Sequence, residues 1–337
     1  MTEGWQRVGA MSALPSVLRD LGVDPAEVAA AADVELELLA DQDSQIPFRS
    51  ACLLTKVAAE RTGCDHIGLL VAAREGSDTH SIGAVGMLMR NAPTLGRALL
   101  DLCENHHRYV RGGVPYLVAR DGSAWLGYAI YQDPGASAEH FQVGALAVGF
   151  SMVKELCQAR PVEVLLSRRP PADPQPYRQF FGAPVTFDAD QSALVFSTDA
   201  LALPVVRADP AARQALETQV RDYWAIDLPK VSDQVVRLLR PRVLFTDDRL
   251  ASVAAALAMH PRVLERALQA EGTSFRAILN HTQVDVAQRL MARTRLSITA
   301  IAAALGYADT SAFSNAFRRQ TGQSPRVWRT THLAQGT

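Results

Sequence analysis

Hydrophobic residues recur at three- and four-residue spacing over several stretches, the spacing that lays one face of a helix against a core. This pattern predicts helices over residues 14–21, 25–31, 49–61 and 93–108, the last opening on Pro93 ahead of a long amphipathic run. Two strand-like runs follow, 115–120 and 124–131, parted by Asp121-Gly122-Ser123. An Asp-Gly pair between apolar runs is a hairpin signal. Residues 140–158 read as a buried helix, with further strands at 162–167 and 193–196. The apolar run 141–153 contains Gln142, Gly144, Gly149 and Ser151 and is too short to cross a bilayer. Between these elements, Arg168-Arg169-Pro170-Pro171-Ala172-Asp173-Pro174-Gln175-Pro176 carries four prolines. Prolines fix φ and remove donors, so a surface loop is expected there.

Nearer the C-terminus the pattern repeats. Val253-Ala254-Ala255-Ala256-Leu257-Ala258-Met259 returns as Ile301-Ala302-Ala303-Ala304-Leu305-Gly306-Tyr307 at an offset of 48, and Leu264 and Leu268 return as Phe313 and Phe317 at an offset of 49. Each copy is a short Ala-rich helix, a small-residue turn and a second helix with apolar residues four apart. Such a pair is a helix-turn-helix, whose second helix can enter the major groove of DNA. Gly306 suits a positive φ at its turn, and Pro261 suits the first helical position. Asp309 or Thr310 is the expected N-cap of the last helix of the repeat.

Charge sharpens the picture. Residues 228–330 hold 15 Lys and Arg against 7 Asp and Glu, a surplus of +8, while the rest of the chain holds 19 against 28 and carries −9. A basic module beside an acidic one is the footprint of polyanion binding, although an Arg-rich surface alone would leave that open. The junction is expected where the balance turns, at Asp227-Leu228-Pro229-Lys230, giving domains at 1–227 and 228–337. The start of the chain, Met1–Ala10, shows no secretory pattern, and a cytoplasmic protein is expected. Cys52, Cys64, Cys103 and Cys157 show no C-x-x-C spacing, so four reduced core thiols are expected rather than a zinc or redox site.

Residues 250–329 resemble the DNA-binding domain of the AraC-type (AraC/XylS) bacterial regulators. The resemblance rests on Met259-His260-Pro261-Arg262-Val263-Leu264-Glu265-Arg266, on Glu271-Gly272-Thr273-Ser274-Phe275, on Leu296-Ser297-Ile298-Thr299-Ala300-Ile301-Ala302 and on Leu305-Gly306-Tyr307. It continues through Phe313-Ser314-Asn315-Ala316-Phe317-Arg318-Arg319-Gln320-Thr321-Gly322-Gln323-Ser324-Pro325 to Trp328-Arg329. It implies a seven-helix domain in which a linker helix, about 275–293, joins two helix-turn-helix units. On this resemblance Arg262, Glu265 and Arg266 would face the groove from the first unit while Val263, Leu264 and Leu268 face its core, and Thr310, Ser311, Ser314, Asn315 and Arg318 would face the groove from the second. Arginine can read guanine and asparagine can read adenine with two bonds each. Glu265 can accept from cytosine or orient its arginine neighbours, and the sequence does not choose. Thr310, Ser311 and Arg318 suit phosphate contacts. The family often has Arg at the position of Asn315 and usually has Arg at that of Gln283, which implies weaker reading by the second unit and a lost or replaced salt bridge.

Residues 15–205 resemble, on looser motifs, the ligand domain of the branch that includes the ornithine-utilisation and VirS-like regulators. The cues are Gly22-Val23-Asp24, Ile46-Pro47, Glu60-Arg61-Thr62-Gly63, Gly83-Ala84-Val85-Gly86, Pro93-Thr94-Leu95 and Tyr177-Arg178-Gln179-Phe180-Phe181-Gly182-Ala183-Pro184-Val185. The implied whole is an α+β N-terminal domain followed by an all-α C-terminal domain with two helix-turn-helix units. The former senses a small-molecule effector or dimerises, and arabinose is not implied. The partners expected are promoter DNA, an effector, RNA polymerase and a second copy of the chain, with no membrane and no cofactor.

His80, Tyr109, Tyr128 and Tyr131 lie beside apolar runs and are the candidate lining of an effector pocket, plain core packing being the alternative. No nucleotide-binding, metalloprotease or nucleophile-elbow motif occurs, so no catalytic residue is expected. His106-His107, near Cys103 and Glu104, does not make a metal site, because neighbours on a helix point apart. The readings in contention are a ligand-responsive regulator, a constitutive dimeric DNA-binding regulator, and an enzyme domain fused to a DNA-binding tail.

Overall fold

The computed structural model describes residues 4–75, 82–120, 122–130, 138–227, 230–242, 249–257, 259–293 and 296–333. The chain divides into two compact units, residues 1–116 with 121–213, and residues 117–120 with 214–337.

In the first unit, β1 (Trp5–Arg7) leads to α1 (Leu14–Asp20), α2 (Pro25–Ala31), β2 (Gln45–Pro47) and α3 (Phe48–Thr62). Then come α4 (Ile67–Glu75), α5 (Gly83–Arg90), α6 (Leu95–Asn105), β3 (Val110–Arg111), β4 (Gly113–Arg120), β5 (Ser123–Ile130) and α7 (Glu139–Cys157). The series closes with β6 (Glu163–Leu165), α8 (Gln175–Phe181), β7 (Val185–Thr186), β8 (Ala193–Ser197) and the start of α9 (Pro210–Asp227), whose residues from Gln214 belong to the second unit. β1 sits between β2 and β3 in a small antiparallel sheet, with Trp5 opposite both Pro47 and Arg111. A second sheet runs β4-β5-β8-β6-β7, with β8 antiparallel to β5 and β6, and β6 parallel to β7. This is the mixed α and β arrangement expected.

The boundaries have local causes. Pro25 occupies the first turn of α2 while the Asp24 carboxylate accepts from Ala26 N at 2.9 Å. α6 begins at Leu95 rather than Pro93, because Thr94 is its N-cap and accepts from Arg97 N. It ends at Asn105, and residues His106–Arg108 tighten into a 3-10 turn. α4 packs on α7 at close range through two glycines: a Cβ on Gly68 would stand 3.0 Å from the Gly144 backbone.

Two expectations are corrected here. The proline-rich segment is not wholly a surface loop. Arg168 is buried, forks onto Asp65 at 2.7 and 2.9 Å, and donates to Tyr177 Oη at 2.7 Å. Its last residues, Gln175 and Pro176, already belong to α8. Of the four free thiols, Cys52 and Cys103 are buried, but Cys64 and Cys157 are only partly so. Burial pushes the Cys52 thiol up to about 12, where it is inert as a nucleophile.

The second unit contains α10 (Val231–Arg242), α11 (Arg249–Ala256), α12 (Pro261–Ala270), α13 (Phe275–Arg293), α14 (Ile298–Ala304), α15 (Thr310–Thr321) and α16 (Pro325–Leu333). Among the described residues these make the seven helices implied by the resemblance, and α13 has the expected bounds of the linker. α13 packs against α10, α14, α15 and α16. The apolar pairs of the repeat, Leu264 with Leu268 and Phe313 with Phe317, are fully buried. Tyr307, Phe313, Phe317 and Trp328 form a chain of aromatic contacts 5.3 to 6.1 Å between ring centres. The charge-based boundary lies at the C-terminal end of α9, whereas the compact units divide inside that helix, after Arg213.

Candidate nucleic-acid interface and effector cavity

The two helix-turn-helix units are built with the turn chemistry the sequence carries. α11 leads to α12, whose first position is Pro261 and whose N-cap is His260, its Nδ1 accepting from Arg262 N. α14 leads to α15 through Gly306 at φ +77°. The N-cap of α15 is Asp309, accepting from Ala312 N at 2.7 Å, and Thr310 is the first helical residue. Ser297 caps α14 in the same way, accepting from Ala300 N at 3.0 Å. Each such cap is worth about 1 kcal/mol.

Burying Leu264 and Leu268 turns the rest of α12 outward. Arg262, Glu265 and Arg266 are all exposed. So is Val263, at 41%, which corrects the expectation that it faces the core. Successive residues on a helix are separated by about 100°, so a position next to a buried leucine need not share its face. On α15, Ser311, Asn315 and Arg318 are exposed, while Thr310 and Ser314 are half-buried. Thr310 Oγ1 lies 3.3 Å from Thr299 Oγ1 and so ties the start of α15 to α14.

Two further residues hold the units in place. Gln283, buried on α13, donates from Nε2 to the carbonyl oxygen of Leu305 at 2.8 Å, at the C-cap of α14. Of the two expectations for this position, a lost or a replaced salt bridge, the amide hydrogen bond to the helix end fits replacement. Glu271, just past α12, accepts from the amides of Val231 and Ser232 at 2.8 and 2.9 Å and so caps α10. The Ser232 hydroxyl, followed by these amides, holds the Glu271 carboxyl below its ordinary range.

The first unit contains a cavity of about 160 Å3. Its walls come from β1, α3, α4, α6, β5 and α7, and are mostly aliphatic and aromatic. Tyr109 and Tyr128 both line it. His80 and Tyr131 lie outside the described residues. The lining also includes His106 and Gln6, which were not selected from the sequence as effector contacts. His106 Nε2 is 3.3 Å from Tyr128 Oη and its ring meets the Tyr128 ring edge-on at 5.5 Å. Burial pushes the His106 pKa down to about 3, so it is neutral at physiological pH. At the rim Arg7 pairs with Asp43 and its guanidinium lies over the Tyr109 ring, 5.1 Å from the centre. Among the described residues no group of three or more His, Cys, Asp or Glu could hold a metal ion, and no helix is long and apolar enough to cross a membrane.

A ligand-sized cavity in one unit and paired helix-turn-helix motifs in the other define an effector-controlled DNA-binding transcription regulator. The chain belongs to the AraC-type transcription regulators. The family described as the arabinose-binding N-terminal domain of the AraC transcription regulator matches residues 22–205, and the helix-turn-helix domain family matches 253–331. The ornithine utilization regulator of Pseudomonas aeruginosa is 28% identical over 329 residues, spanning 96% of this chain and 95% of that one. The regulator VirS of Mycobacterium tuberculosis is 26% identical over 322 residues, 93% of each. The transcriptional activator NphR of a Rhodococcus species is 33% identical over 115 residues, 34% of each chain. These relatives are transcription regulators rather than enzymes.

Proposed function

We propose that α12 and α15 are the two recognition helices, reading adjacent major-groove segments of promoter DNA. Arg262, Glu265 and Arg266 are the base-reading set of the first. Asn315 reads bases from the second, while Thr310, Ser311, Ser314 and Arg318 position it on the backbone. The carrying observation is the outward face of α12, where charged side chains stand exposed beside two fully buried leucines. The basic surplus of residues 228–330 supports the same reading.

The effector occupies the cavity beside Tyr109 and Tyr128 and shifts the balance between DNA-binding arrangements, which requires that it bind them unequally. The regulator acts in the cytoplasm as a homodimer, with RNA polymerase as its partner at the promoter, and catalyses no reaction. Two copies would carry four helix-turn-helix units and match repeated half-sites spaced by near-integral turns.

The test uses duplexes enriched by the full chain from a random library. Arg266→Ala weakens binding to the enriched duplex by about 1–3 kcal/mol and binding to scrambled DNA much less. Equal losses on both, in a fluorescence anisotropy titration, would make Arg266 a backbone contact and remove it from the reading set.

A further inference from the structure

We infer that the cavity of the first unit takes a compact, uncharged, mostly apolar molecule of about one substituted ring, carrying a single hydroxyl that donates to Gln6. The inference rests on the cavity being the effector site, and adds what kind of molecule fits it.

Size is the first argument. A protein cavity of about 150 Å3 accommodates benzene, and this one, partly open to its surroundings, is about 160 Å3. Leu102, Val71, Phe141, Leu146 and Met152 supply apolar walls, which favour a ring or branched chain over a sugar.

Charge is the second. Among the described residues the cavity lining includes no aspartate or glutamate. His106 remains neutral, so it offers no cation to a carboxylate ligand. The guanidinium at the rim, Arg7, is already paired with Asp43. A charged ligand would lose its hydration without gaining a free counter-ion, which is costly in apolar surroundings.

The third argument is an acceptor without a donor. Gln6 Nε2 faces Met11 Sδ at 3.8 Å, and a thioether can only accept, so the amide nitrogen is on that side. Gln6 Oε1 is left buried with no hydrogen-bond partner, on a residue that lines the cavity. A buried acceptor without a donor is unfavourable, and a turn of the Gln6 side chain toward the cavity would let a ligand hydroxyl satisfy it.

The probes are p-cresol, toluene, benzoate and benzylamine, titrated into the full chain at pH 7 with Kd from calorimetry and Tm from thermal shift. p-Cresol and toluene raise Tm saturably, and p-cresol binds about fivefold more tightly, the worth of one net hydrogen bond. Benzoate and benzylamine do not bind. Gln6→Leu removes the advantage of p-cresol and keeps toluene binding. Gly149→Leu, where a Cβ has only Leu126 at 3.7 Å, fills the cavity and abolishes both; Val148→Phe replaces it should that variant not fold. Benzoate or benzylamine binding as well as p-cresol overturns the inference, as does an unchanged p-cresol preference in Gln6→Leu, or no binding by any probe. If the filled-cavity variants bind the probes normally, the effector site itself lies elsewhere. If they do not bind, but charged probes bind the wild type, the site stands and only its chemistry is wrong.

Discussion

At the scale of single residues, His106 shows how burial converts a titratable group into a pH-dependent stability term. Its value of about 3 in the folded chain lies below the ordinary 6.5. The folded state therefore holds it neutral while the unfolded chain takes up a proton below about 6.5. Its contribution is complete above that pH and is lost as the pH falls toward 3, by up to about 1.4 kcal/mol per pH unit. His106→Phe should flatten the decline of stability with acid by that slope, measured by urea unfolding between pH 7.5 and 5. Parallel curves for variant and wild type would contradict it. His106 was visible in the sequence only as half of a His-His pair, because what makes it a cavity residue is Tyr128, twenty-two residues away. Val263 was misplaced because the core set carried over from the family does not fix the phase of this helix, in which Leu264 and Leu268 alone turn inward. Exposed between Arg262 and Arg266, its methyls suit contact with a thymine methyl group.

Among the elements, long amphipathic helices were legible because three- and four-residue spacing persists over several turns. α2 fell on the bounds the spacing predicts, and α13 on those the family resemblance implied. The strands β1, β2, β3 and β7 were not, since two or three residues are too few to display alternation. Nor was the buried side of the proline-rich segment, because the partner of Arg168 is Asp65, 103 residues earlier. α9 is fixed at its start by a feature of the same long-range kind. Arg213 donates to Asp101 at 2.8 Å and to the Leu88 carbonyl at 3.0 Å, and Asp101 also accepts from Arg97 at 3.0 Å. Asp101 and Arg213 are both buried, and without Arg213 the Asp101 carboxylate keeps Arg97 as its counter-ion but loses two charged donors. Arg213→Met should destabilise the chain by about 1.5–3 kcal/mol, the usual worth of hydrogen bonds to a charged group when its other counter-ion remains. Chemical denaturation giving a loss below about 1 kcal/mol would show the pair to be open to water.

Across the whole molecule, the division of labour was the most legible property, since the charge balance and the repeat both follow from composition and spacing alone. The cavity was the least legible, as its walls gather residues from Gln6 to Met152 that share no motif. The same duplication makes the central claim open to a direct test: both helix-turn-helix units of one chain read one duplex. Hydroxyl-radical footprinting of the full chain on its enriched duplex should show two protected segments about one helical turn apart. The paired change Arg262→Ala with Arg266→Ala should erase one segment, and Asn315→Ala with Arg318→Ala the other. A single protected segment, untouched by the second pair of changes, would contradict the account and leave α15 a structural helix only.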